Sequence, residues 1–220
     1  ILITLGTATL SLTATDYNLR VGESNRVKNL YYSESGIDIT YGVMGKLVER
    51  AIKEGNKAVD TFMSGLNGDD GILATQRKQI NDKTITVGIY VNSDGTINEE
   101  SIKNAQKNAF KIAFKNYLTD PIANADGTTE SRIIFCMENN IYYDDTNAVV
   151  QMNFQANEKP SIAVDGSKIR TFDVNDKLQI NITSSFNTVT TSTSIANQPF
   201  QRKVSTAFTI NTPNYNDTFY

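Results

Sequence analysis

The sequence predicts an α+β protein: one long N-terminal helix packed on an antiparallel sheet, with one additional amphipathic helix on that sheet. Three observations predict it. Apolar residues recur at helical spacing through the first third of the chain, a second helical window runs from Ile97 to Leu118, and from Arg132 onward the apolar period falls to two. The expected organisation is a truncated apolar part of the stem at residues 1–15, an amphipathic stem at residues 16–66 and a globular α+β head at residues 67–220.

The long helix carries two chemistries. Residues 1–15 (ILITLGTATLSLTAT) hold no charge, and the first ionisable group is Asp16. Beyond it Val27, Leu30, Tyr31, Ile37, Tyr41, Met44, Leu47, Val48, Ala51, Val59, Phe62, Met63 and Leu66 form one apolar stripe. Arg20, Glu23, Arg26, Lys28, Glu34, Asp38, Lys46, Glu49, Lys53 and Glu54 occupy most of the remaining circumference. Such a helix is roughly 95 Å long, more than a compact head can cover. The uncharged part is therefore expected to be shielded by lipid or by other helices. A full span takes about 20 apolar residues, so the chain reads as starting inside a span. The competing reading is a core helix beginning at residue 1.

Within the uncharged run Leu5, Leu12 and Leu19 fall seven apart beside small residues, which marks them as candidate helix-packing positions. Gly22, Gly36, Gly42, Gly45 and Gly55 punctuate the rest, and Gly42 and Gly45 read as points of close contact with the head. The helix should stop at the turn formers Asn67-Gly68-Asp69-Asp70-Gly71. Residues 72–83 read as a short hairpin or an irregular loop, and Ile85, Val87, Ile89 and Val91 as a half-buried strand.

The second helix opens on Thr96-Ile97-Asn98-Glu99, a capping-box pattern with Thr96 as cap. Its apolar face is Ile102, Ala105, Ala109, Phe110, Ala113, Phe114, Tyr117 and Leu118, and Pro121 stops it. Strands are then expected around Ile133, Phe135 and Met137, around Val150, Met152, Phe154 and Ala156, around Leu178, Ile180 and Ile182, and around Val204, Thr206, Phe208 and Ile210. The Ser/Thr-rich run 183–194 suits an edge strand or a loop.

The chemistry-bearing residues point away from catalysis. The chain has no histidine and a single cysteine, Cys136, which reads as a small core residue of a strand. Without histidine only Lys or a carboxylate could activate a hydroxyl, and no motif points to one, so no catalytic residue, cofactor or metal is assigned. Asp69-Asp70, Asp144-Asp145 and Asn92-x-Asp94-Gly95 invite a calcium reading. In the last, Tyr90 stands where a first carboxylate is needed and Ser101 where a final glutamate is needed, so a turn is the better account. A net charge of -3 without a basic face speaks against nucleic acid.

Arg26-Val27-Lys28-Asn29-Leu30-Tyr31-Tyr32-Ser33-Glu34-Ser35-Gly36, after an uncharged start, resembles the N-terminal region of type IV pilus minor pilins. Arg26 and the element Ser33, Glu34, Ser35, Gly36 carry the resemblance, which covers roughly residues 1–60. It implies a pilin-like fold and a prepilin held in the cell membrane, cut by a prepilin peptidase and passed by inner-membrane assembly machinery into an extracellular filament of pilin subunits. A part in initiation, at the tip or in adhesion goes with it. The leader, cleavage glycine and early glutamate of such pilins are not among these residues, and with one cysteine the disulfide loop common in pilins cannot form. A pseudopilin of a type II secretion system shares the stem, and a membrane-anchored extracellular binding or sensor protein is the alternative from another class.

Overall fold

The computed structural model describes residues 2–152, 159–187 and 201–215. Helix α1 runs over Leu2–Asn67, 66 residues, and is followed by α2 (Ile72–Asn81) and α3 (Glu99–Thr119). Two small antiparallel hairpins flank α4 (Arg132–Asn139): β1 (Pro121–Ala123) with β2 (Thr129–Ser131), and β3 (Ile141–Tyr143) with β4 (Val149–Gln151). The main sheet is antiparallel in the order β5 (Ser161–Val164), β6 (Lys177–Phe186), β7 (Arg202–Asn211). The molecule is thus mixed α+β, with a long N-terminal helix against an antiparallel sheet.

The main core forms where α1, α3, α4 and the sheet converge. Val43, Leu47, Ala51 and Val59 of α1 meet Phe110, Phe114 and Leu118 of α3, Ile133, Ile134 and Met137 of α4, and Leu178, Ile180 and Ile182 of β6. Alternation along β6 sends every second side chain inward, as a sheet covered on one face requires. Phe114 is fully buried, worth about 1.5–3 kcal/mol for the side chain. A smaller cluster of Leu66, Leu73 and Val91 closes the far end of α1.

Several elements differ from the sequence expectation. Residues 72–81 are helical, with Leu73 and Gln76 turned inward, rather than a hairpin or loop. Among the described residues there are accordingly three helices besides the stem, not one. Of the strand expected at 85–91 only Val91 pairs, in a single bridge to Ile97, while Val87 and Ile89 are exposed. Gln76 accounts for part of this, because its Oε1 accepts the Tyr90 N–H at 2.9 Å that a ladder partner would otherwise take.

The cap of α3 is Asn98, whose side chain accepts from Ser101 N at 3.1 Å, and not Thr96. The Thr96 hydroxyl is already committed to Asp94 Oδ1 at 2.6 Å inside the preceding turn. Residues 132–139, and Cys136 with them, are helical rather than extended. Ile134 and Cys136 are apolar as well as Ile133 and Met137, and all four are buried, a pattern a helix satisfies and a one-sided strand does not. Asn140 ends that helix in the left-handed region at φ 54°.

The hydroxyl run Thr183-Ser184-Ser185 lies in β6, the central strand, and not at an edge or in a loop. Val150 is in β4 and Met152 directly follows it, whereas Phe154, Ala156 and residues 188–194 lie outside the described residues.

Candidate functional site

The head covers α1 only from Asn29 onward: none of residues 12–28 is buried, and Leu12, Tyr17 and Leu19 are exposed by 66–73%. From there the buried positions are Asn29, Ser33, Gly36, Thr40, Val43, Leu47, Ala51, Gly55 and Val59, spaced three or four apart. This seam is rotated from the apolar stripe expected from sequence. Val27, Leu30, Tyr31 and Tyr41, assigned to the covered face, are exposed, whereas small and polar residues form the upper half of the contact.

The polarity of the upper seam has a steric cause. At Gly36 the helix backbone lies directly on the sheet: a Cβ there would overlap Ser184 Oγ and come within 2.9 Å of both Ile162 Cδ1 and Pro160 Cγ. Ser33 Oγ lies 2.9 Å from both the Arg202 carbonyl of β7 and the Asn29 carbonyl, which share its one proton, and Thr40 Oγ1 donates to the Gly36 carbonyl at 2.7 Å. The two stem hydroxyls, Ser33 and Thr40, are thus satisfied on burial, whereas Ser184 Oγ of the sheet is buried without a partner among the described residues. Tyr32 adds an aromatic contact with Phe186, ring centroids 4.6 Å apart.

The family-like element therefore divides by side. Ser33 and Gly36 face the head, Glu34 is exposed, Ser35 is half-buried, and Arg26 is on the surface with Glu23 Oε1 at 3.3 Å. Of the glycines read as close contacts, Gly42 meets only Met152 Cε at 3.3 Å and Gly45 has nothing within 4 Å. The tight positions are Gly36 and Gly55, where a Cβ would sit 2.6 Å from the Phe110 ring.

Away from the seam, Leu12, Leu19, Leu30 and Tyr41 are all exposed. Their spacings of seven and eleven place them roughly within 40° of one another, about 100° around the helix from the buried face. They lie on one side of the helix, from the projecting part of the stem to the part the head supports, with Glu23 and Glu34 interspersed among them. Tyr41 joins that side to the sheet through Phe208, with centroids 5.9 Å apart. The Leu5 side chain lies outside the described residues. Among the described residues no helix is long and apolar enough to cross a membrane.

Further down, an ionic clamp ties the β3–β4 turn to the stem. Arg50 pairs with Asp145 and Glu54, each at 3.0 Å, and Lys53 reaches Asp145 at 2.9 Å. The Lys53 hydrogen bond, then that of Arg50, holds the Asp145 carboxyl below its ordinary value.

Of the other carboxylates of the calcium reading, Asp94 and Asp144 serve their own turns. Asp94 Oδ1 accepts Thr96 N at 3.0 Å, and Asp144 Oδ1 accepts Thr146 N at 2.8 Å and Ala148 N at 2.9 Å. The Asn92-Ser-Asp94-Gly95-Thr96 turn recurs as Asn124-Ala-Asp126-Gly127-Thr128 with the same bonds and both glycines at φ +82°. That repeat was visible in the sequence as Asn-x-Asp-Gly-Thr. Among the described residues no group of three potential metal ligands comes together. Burial pushes the Cys136 thiol up to about 12, so it is protonated at neutral pH.

Compared with known proteins, the chain matches no family model, no curated protein and no solved structure.

Sequence reasoning missed the polar seam of Asn29, Ser33 and Thr40, because it assigned the covered face to the large apolar residues. The residues it singled out for packing, Leu12 and Leu19, share an exposed line with Leu30 and Tyr41, which it had assigned to the interior. Hydrophobicity alone cannot say which of two apolar stripes meets the head. A run of small residues at spacing three and four, where a backbone can approach a sheet, was the available signal.

Proposed function

We propose that the chain is a structural subunit of a type IV pilus, a minor pilin, whose stem passes from the membrane into the filament. The observation that carries this reading is the exposed line Leu12, Leu19, Leu30 and Tyr41 on a helix that extends about 40 Å beyond its head. A helix meant to stand alone in water gains nothing from such a line, whereas one packed among other stems buries it. The uncharged first 15 residues stay out of water both in lipid and between neighbouring stems, so transfer between the two need not hydrate them. The resemblance around Arg26 and Ser33 to Gly36 supports the same class. Its partners are other pilin subunits, with the prepilin peptidase and membrane assembly machinery acting before assembly.

Single cysteines test this in cells producing the full chain, because Cys136 is fully buried and will not compete. Cysteines at Leu19 and Leu30 should be linked to neighbouring stems by a short bismaleimide, and one at Tyr17, on another side of the helix, much less. Equal reaction at all three positions, or at none, removes the filament reading and leaves a plain membrane anchor for a binding head. A pseudopilin would give the same pattern and is separated by whether the adducts are found in extracellular filaments.

A further inference from the structure

Between α1, α3 and the start of α4 lies an open cleft of about 660 Å³, lined among others by Arg50, Lys57, Asn116, Tyr117, Asp120 and Arg132. Arg132 is half-buried, with its guanidinium carbon 4.3 Å from the centroid of the Tyr117 ring and Nη1 donating to the Tyr117 carbonyl at 2.7 Å. It forms no ion pair among the described residues, in contrast to Arg50 on the opposite wall, which has two. A cation held partly out of water without a carboxylate in direct contact is left partly uncompensated, and the stacked, pinned fork loses little freedom on meeting an anion.

The charge balance of the lining points the same way. Three cationic residues of the lining face two carboxylates, and one of those, Glu54, is already taken by Arg50 at 3.0 Å. Asp120 is the remaining carboxylate and opposes an anion. The space far exceeds the roughly 30 Å³ share of one water, so a phosphate or a short carboxylate enters without displacing protein.

We propose that this cleft binds a small oxyanion, carboxylate or phosphate, with Arg132 as the group that grips it and Lys57 as a second, peripheral charge. The geometry that distinguishes it from an ordinary surface arginine is the combination, within a cleft, of aromatic stack, backbone anchor and no carboxylate paired with it among the described residues. Planar two-point recognition of an oxyanion is what the arginine fork supplies and a lysine does not. The site does not depend on the filament reading, since it lies wholly within the head and the part of α1 that the head covers.

The test is titration of the full 220-residue chain with sodium phosphate in one arm and sodium acetate in the other, at constant ionic strength made up with chloride, followed by NMR shifts. Saturable shifts at Arg132 and Asn116 in at least one arm are expected, and the arm that saturates identifies the anion class. Arg132→Gln should weaken binding about tenfold or more, and Arg132→Lys, which keeps the charge, should fall between. Asp120→Asn should tighten it by about threefold, since it removes the opposing charge. Asp120→Asn keeps the test decisive if Arg132→Gln unfolds. Shifts no different from those in chloride alone, or affinities unmoved by Arg132→Lys and Asp120→Asn, overturn the proposal.

Discussion

Gly36 of the stem and Ser184 of the central strand approach so closely that no side chain fits between them. Ser184 is fully buried and its hydroxyl has no partner, so the contact is purely one of shape. Alanine at a helical position ordinarily gains about 1 kcal/mol over glycine, but overpacking a tight interface costs about 1–3 kcal/mol. Gly36→Ala is expected to lower the melting temperature, and Gly45→Ala, which meets nothing within 4 Å, to raise it. Adding Ser184→Ala to Gly36→Ala should restore part of the loss, because Ile162 and Pro160 still crowd the new methyl at 2.9 Å. Thermal denaturation of the four chains checks the signs, and a Gly36→Ala chain as stable as Gly45→Ala would contradict the close approach.

Asp145 joins two cations of the stem to a surface turn and has a lowered pKa. A depressed carboxylate contributes stability that is complete above its unfolded value of 3.8 and disappears as pH falls through the folded value below that. The wild-type chain should therefore lose stability from the ordinary carboxylate range downward more steeply than Asp145→Asn does. Exposure at Asp145 keeps the effect small and salt-sensitive. Melting curves between pH 5 and pH 2 at low and high salt measure it, and parallel curves for the two chains would count against the clamp.

The division of α1 into a seam and an exposed line separates stability from assembly. Leu19→Glu and Leu30→Glu alter side chains that touch little of the head, so the melting temperature should move by no more than about 0.5 kcal/mol of stability implies. Incorporation into filaments, measured in sheared extracellular fractions, is expected to fall sharply in both. Normal incorporation with glutamate at either position would mean that the line is not buried in the filament.

What the sequence disclosed follows from how strongly each element is patterned. Helix α1 and the strands of Ile180 and Phe208 were legible because many successive residues repeat one period. Residues 132–139 were misread because eight residues hold too few turns to separate period two from a helix when Ile133, Ile134, Cys136 and Met137 are all apolar. The helix at 72–81 escaped because its inward face is only Leu73, Gln76 and the partly buried Ile80, and the middle one of the three is polar. The cleft around Arg132 could not be read at all: Arg50, Tyr117 and Arg132 lie on three helices and meet only through the fold.

The last expectation concerns how much of α1 the head requires. None of residues 12–28 is buried, so removing residues 1–15, or even 1–28, deletes no core contact among the described side chains. The shortened chains should be soluble, monomeric and cooperative in melting, with helical circular dichroism reduced in proportion to the residues lost. Deletion continued through Thr40 is different, since it removes Ser33 and its bond to Arg202 and uncovers Ile162 and Ser184 on the sheet. That chain is expected to lose its cooperative transition and to aggregate, because an apolar sheet face without its covering helix has no replacement. Sedimentation and melting of the three truncations measure the boundary. Precipitation of the chain lacking only residues 1–15 would show that the projecting part of the stem supports the head, and the separation of the helix into a free and a covered part would fail with it.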